Sequence, residues 1–155
     1  MTKLLLSLHV LAALVAVGPV TVAASMFPAT LRRALGDPAD ADARTALRTL
    51  HRICRVYAGV GVAVPLTGFF TADSLGVLGD AWLIASILLT TAAAGVLALL
   101  VLPAQERALT ATAGPTTPPT PSNPGRLAMS TGVFNLLWAT VTVLMIVRPG
   151  STTGA

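Results

Sequence analysis

His9 is the residue of this chain best suited to chemistry. It stands five residues into an apolar run, Leu4–Phe27, roughly 7.5 Å deep if the run is a helix rising about 1.5 Å per residue. An ionisable group at membrane depth is costly, so its presence there points to a role. An imidazole can ligate haem iron, carry protons or hydrogen-bond across helices. The other histidine, His51, precedes the second apolar run on the opposite side of the membrane, which disfavours a two-histidine haem within one chain. Met145, near the end of the fourth run, reaches a depth similar to that of His9. That permits a His9/Met145 axial pair for a haem b on geometric grounds. The structural alternative is a neutral His9 bonded to a neighbouring helix near the interface.

Little else in the sequence has a chemical signature. Cys54 is the only cysteine, which excludes an intramolecular disulfide and a cysteine-pair metal site. Asp73 and Asp80 flank a short turn with Gly76 and Gly79. Two carboxylates on a turn read as solvated groups, and no metal site is expected there. Serine-hydrolase, phosphate-loop, zinc-protease and dinucleotide signatures are absent, so no enzyme activity is expected without a bound cofactor.

The elements that position these groups are four apolar runs, Leu4–Phe27, Val56–Ala72, Ala81–Leu102 and Leu127–Val147. Each is close to the ~20 residues that a helix needs to cross a hydrocarbon layer of about 30 Å. Only 10% of the chain is charged, against about 25% in soluble domains, so the runs read as membrane spans. What lies outside them is too short for a second domain, and residues 1–155 form a single integral membrane unit. None of the four runs holds Asp, Glu, Lys or Arg. A pump or an ion-coupled carrier normally places one there, which argues against those readings.

The arginines give an orientation. Arg32, Arg33, Arg44, Arg48, Arg52 and Arg55 lie in the first connection and Arg107 and Arg126 in the third, whereas the opposite side carries only Lys3 and Arg148. The positive-inside rule places both termini outside and the protein in the cytoplasmic membrane as a multi-pass protein. The net charge of +4 therefore reads as topology and anionic-lipid contact, with no nucleic-acid partner expected. A rival reading takes Met1–Ala24 as a cleaved signal peptide ending at Val22-Ala23-Ala24. The apolar run continues through Phe27, which is long for a signal.

Within this frame, Gly18-Pro19 predicts a kink in the first span. Gly36-Asp37-Pro38 is a turn signal, and Asp40 can cap a helix starting near Ala41. Leu47, Leu50, Ile53, Cys54 and Tyr57 recur at helical spacing, while Arg44, Arg48, Arg52 and Arg55 form a stripe of their own. That is an amphipathic cytoplasmic helix running into the second span, its basic face turned to anionic headgroups first and to a protein partner second. Gly59, Gly61 and Gly68, with Pro65, predict close helix packing by the second span. Asn135 in the fourth span and Ser86, Thr90 and Thr91 in the third are expected to join helices by hydrogen bonds. Trp82 and Tyr57 fall where aromatic side chains anchor to headgroups. The third connection, Pro103 to Arg126, contains a run rich in proline, threonine and glycine. It reads as a segment that neither forms a helix nor packs a core, with a disordered linker at about 112–125.

Three segments carry a resemblance: Leu8-His9-Val10-Leu11 followed by Gly18-Pro19-Val20, then Leu50-His51-Arg52-Ile53-Cys54-Arg55-Val56-Tyr57, and Val143-Leu144-Met145-Ile146-Val147-Arg148-Pro149-Gly150-Ser151. The whole chain resembles a group of small actinobacterial predicted integral membrane proteins of unknown function. That resemblance implies a four-helix bundle in the cytoplasmic membrane and supplies no activity. The first span alone, through His9, is similar to copper-resistance D and membrane-bound protoporphyrinogen oxidase type proteins, where a first-helix histidine is associated with haem or metal. The sequence thus predicts an all-α four-helix transmembrane bundle with an amphipathic extension before the second span. Its expected role is non-enzymatic, as a structural or accessory component of a membrane assembly or a small homo-oligomer. A haem-binding redox protein using His9 is the first alternative, and a small-solute transporter or channel the second.

Overall fold

A computed structural model describes residues 2–113 and 123–150, and all the regular structure among them is helical. The first helix, α1, spans Thr2–Gly36 and continues through Pro19 and Pro28. At 35 residues it is roughly 52 Å long, well beyond the thickness of a bilayer core. The excess lies at the arginine-rich end.

Local chemistry explains the turn that follows. Asp37 Oδ1 accepts from the Ala39 N–H at 3.0 Å, and Asp40 Oδ1 accepts from the Ala43 N–H at 2.9 Å. Asp40 thereby caps α2, Ala41–Val60. Arg33 Nε donates to Asp40 Oδ2 at 2.6 Å, tying the end of α1 to the start of α2. The Ala43 N–H, with the Arg33 guanidinium beside it, holds the Asp40 carboxyl below its ordinary range.

α2 breaks at Gly61-Val62 and resumes as α3, Ala63–Leu75. Pro65 supplies the reason: it cannot donate to the Gly61 carbonyl, and its ring would crowd that carbonyl in a continuous helix. Placed in the first turn of α3, its missing N–H is one that the helix start leaves unpaired anyway. α3 ends at Gly76, whose φ of +69° lets the Val77 N–H reach back to the Ala72 carbonyl at 3.2 Å.

The third long helix consists of α4, Ala81–Gly95, a π-helical segment, Val96–Val101, and α5, Leu102–Ala111. The wider π turns deliver the chain to Pro103, in the first turn of α5. This corrects the reading of the third connection. Pro103–Ala111 is helical and buries Gln105 and Ala108, because Ala104, Gln105, Glu106, Arg107, Ala108 and Leu109 are good helix formers that outweigh a proline at the helix start. Most of the expected linker, 114–122, lies outside the described residues. The fourth helix, α6, spans Pro124–Val147 and is capped by Asn123, whose Oδ1 accepts from the N–H groups of Gly125 and Arg126.

Among the described residues, four helical segments are long and apolar enough to cross a membrane: Lys3–Gly36, Ala41–Leu75, Ala81–Ala111 and Pro124–Val147. Each is longer than the apolar run that marks it. α1 packs on α2, α3 and α6; α4 packs on α6; α5 packs on α2. The main core gathers toward the arginine-rich end, around Phe27, Leu31, Leu47, Cys54, Val101 and Phe134. A smaller cluster of Ala72, Trp82 and Leu83 closes the opposite end. Leu14, Leu66, Phe70, Leu88, Leu99, Leu136 and Ile146 point outward, an apolar girdle suited to lipid and hostile to water. Cleavage after Ala24 would remove the buried His9, Ala16, Val20, Ala23 and Ala24 from this packing.

Candidate functional site

His9 is only 8% exposed and is held by α3. Its Nδ1 lies 3.1 Å from the Val64 carbonyl oxygen and 3.2 Å from Thr67 Oγ1. A carbonyl oxygen only accepts, so Nδ1 carries the proton and donates, which leaves the lone pair on Nε2. Thr67 Oγ1 donates in turn to the Ala63 carbonyl at 2.8 Å. Gly68 forms the floor: a Cβ there would come within 2.9 Å of His9 Cε1 and 3.3 Å of Nδ1. Little more than one turn of α3, from Val64 to Gly68, therefore forms a seat shaped to one imidazole.

Met145 belongs to a different environment. It packs on the cluster of Ala72, Trp82 and Leu83, where Ala72 stands one turn further along α3 than Gly68. Trp82 is buried in that cluster, where its Nε1 donates to Asp80 Oδ2 at 2.9 Å and the Arg148 guanidinium lies 5.6 Å from the ring centre. It staples the ends of α4 and α6, a correction to the headgroup-anchor expectation. Tyr57 packs against the main core.

At the arginine-rich end, α2 has two faces. Leu47, Leu50, His51 and Cys54 are buried, while Arg48, Arg52 and Arg55 are exposed and Arg44 is half-buried. The ion pair found among the described residues is Arg33–Asp40, so the α2 stripe has no counter-charge there. On the buried face, His51 Nδ1 lies 3.0 Å from Gln105 Oε1, and Gln105 Nε2 lies 3.6 Å from Cys54 Sγ. The amide oxygen accepts from an Nδ1–H and the amide nitrogen donates weakly to sulfur. Gln105 has no exposed surface. Sequence reasoning missed this residue; its signal was a single uncharged polar side chain in phase with Val101 and Ala108.

The glycines separate by role. Gly68 receives His9, Gly61 sits at the break between α2 and α3 beside the Ala58 carbonyl, and Gly59 faces open space. Close contact between helices within the chain thus falls to Gly68. Among the polar residues of the spans, Asn135 Nδ2 donates to Ser25 Oγ at 3.0 Å and joins α6 to α1. Ser86 and Thr91 instead donate to carbonyls of their own helix, which satisfies the hydroxyl without a neighbour. Two cavities flank α1. One, of about 360 Å³, lies against α2 beside Met26, Thr30, Thr45, Thr49 and Leu50; the other, of about 190 Å³, lies against α6.

Helices of this length, with an apolar girdle and a polar-capped core, define a four-span all-α integral membrane bundle. A family model described as "Predicted integral membrane protein (DUF2269)" matches residues 3–149, and the chain belongs to that family. No curated protein and no solved structure matches it.

Proposed function

We propose that the protein is a non-enzymatic accessory component of an assembly in the cytoplasmic membrane, docked through the arginine face of α2. The observation that carries this reading is the rigid mounting of that face. One side of α2 is locked into the core by Leu47, Leu50, Cys54 and the His51–Gln105 bond, which holds Arg48, Arg52 and Arg55 outward without internal partners. Anionic headgroups supply the first counter-charge and an acidic partner surface the second. The exposed Gly59 offers a place where another helix can approach closely. The test is purification from native membranes in mild detergent, comparing the wild type with a variant in which Arg44, Arg48, Arg52 and Arg55 are all glutamine. The variant is expected to keep its helical circular dichroism and to lose co-purifying proteins and anionic lipid. An unchanged set of both overturns the proposal.

A second reading, a membrane redox protein with His9 as haem ligand, is favoured by the Val64 carbonyl. By accepting from Nδ1 it leaves the Nε2 lone pair free for a metal, the usual way a second-shell carbonyl orients a ligating histidine. It predicts a Soret band in gently purified protein that disappears in His9→Ala. A colourless, folded preparation rules it out.

A further inference from the structure

One edge of the His9 ring is left open by its seat. Nδ1 is committed to Val64 and Thr67, whereas Nε2 makes no hydrogen bond among the described residues. The unpartnered side-chain atoms that are sealed from the surface there are Thr131 Oγ1 and Asn135 Oδ1, and His9 Nε2 is not one of them. The 8% of His9 that stays accessible therefore includes Nε2. Its lone pair leaves the chain beside α3, at membrane depth, so a metal bound to it sits on the surface of this chain.

Resting on the role of His9 as a haem ligand, we infer that the haem is shared by two copies of this chain, each giving its His9 as one axial ligand. The surroundings select the form of the metal. None of the four apolar runs holds Asp or Glu, so a bare cation at Nε2 would keep its full charge in a medium that penalises it. A porphyrin is a dianion and neutralises ferrous iron itself. Around His9, Leu5, Ala12 and Ala13, about one turn away on α1, and Thr67 on α3 are half-buried and uncharged, a face suited to a flat apolar group. The chain has one such ligand to offer at this depth. Among the described residues no group of three or more His, Cys, Asp or Glu side chains could hold a metal. His51 and Cys54 are engaged with Gln105 between α2 and α5, and Met145 is packed on Ala72, Trp82 and Leu83. An outward-facing Nε2 thus covers one side of the iron and leaves the other bare to lipid. Symmetry supplies the second ligand. Every copy inserts with the same orientation, so a two-fold axis along the membrane normal brings His9 opposite His9 at one depth. The same bond from Nδ1 to the Val64 carbonyl orients both imidazoles.

The whole chain, purified in a non-ionic maltoside, would be titrated with haemin and followed by absorption, electron paramagnetic resonance and native mass spectrometry. Saturation is expected at half an equivalent of haemin per chain, with the low-spin spectrum of a bis-imidazole iron and a haem-bound dimer as the main species. His9→Gln, whose amide can still donate to the Val64 carbonyl, is expected to keep its helical circular dichroism and to lose both the spectrum and the dimer. Met145→Leu is expected to keep both. Haem bound one per chain to a monomer, a high-spin five-coordinate spectrum, or a low-spin signal lost in Met145→Leu overturns the shared site and leaves His9 standing as a haem ligand. No absorption change on titration, or one that His9→Gln leaves intact, overturns haem ligation by His9 and the shared site with it.

Discussion

Gln105→Leu is expected to destabilise the bundle by about 2 kcal/mol, although it places an apolar residue in an apolar core. Leucine fills nearly the volume of glutamine and removes a buried amide, which by itself favours the folded state. Against this, His51 loses the acceptor of its Nδ1–H. That donor is buried between α2 and α5, and an unpaired buried donor costs roughly 1–3 kcal/mol. Loss of the bond to Cys54 adds little, because sulfur is a weak acceptor. The orphaned histidine therefore decides the sign. His51→Leu alone is also expected to destabilise, by leaving Gln105 Oε1 unpaired. The double variant His51→Leu/Gln105→Leu is expected to recover most of the loss, since both polar groups leave together. Denaturant unfolding in detergent gives the energies. Maleimide labelling of Cys54, buried and the only thiol in the chain, gives a second readout, slow in the wild type and faster in either single variant. Strictly additive losses in the double variant would show that the bond contributes nothing.

That bond marks the boundary of what the sequence displays. The spans were legible because an uninterrupted apolar run of about 20 residues has few other physical explanations. The amphipathic face of α2 was legible because Leu47, Leu50 and Cys54 recur at helical spacing opposite the arginines. His9 was conspicuous as the single histidine inside the four apolar runs, which hold no Asp, Glu, Lys or Arg. Its seat was not, since Val64, Thr67 and Gly68 become a site only when α1 lies against α3, and pairing between distant helices leaves no periodic trace. The same holds for Gln105, which takes its meaning from His51, 54 residues away. Pro103 misled in the opposite direction. Taken with the proline-rich stretch beyond Gly114 it suggested a broken chain, whereas a preceding π turn and the helix-forming residues after it keep the helix running to Ala111. Trp82 misled for a related reason: its position matched an interfacial anchor, but the neighbouring Asp80 and Arg148 draw the ring into the bundle.

Gly68→Val tests the seat of His9 directly, with an expected loss of about 1–3 kcal/mol from overpacking. Two effects compete. Replacing a glycine inside a helix gains up to about 1 kcal/mol in helix propensity for alanine and less for β-branched valine. Opposing this, even a Cβ would stand 2.9 Å from His9 Cε1, and valine adds two methyl groups to that contact. The ring cannot withdraw freely, because its Nδ1 is tied to the Val64 carbonyl of the same helix. Retreat would break that bond and bury an unpaired imidazole N–H; staying in place would push α1 away from α3. Crowding therefore outweighs propensity. Gly68→Ala is expected to show the same sign with a smaller loss, since its propensity gain is the larger and its contact the lesser. His9→Ala supplies the control. Removing the ring vacates the space under Gly68, so His9→Ala/Gly68→Val is expected to be more stable than the sum of its single variants predicts, by 1 kcal/mol or more, as contacting residues show. Unfolding midpoints of the four proteins in one detergent measure this coupling. A coupling of zero would mean that the imidazole does not rest on Gly68 in the membrane, and the lone pair on Nε2 would lose the orientation that Val64 gives it.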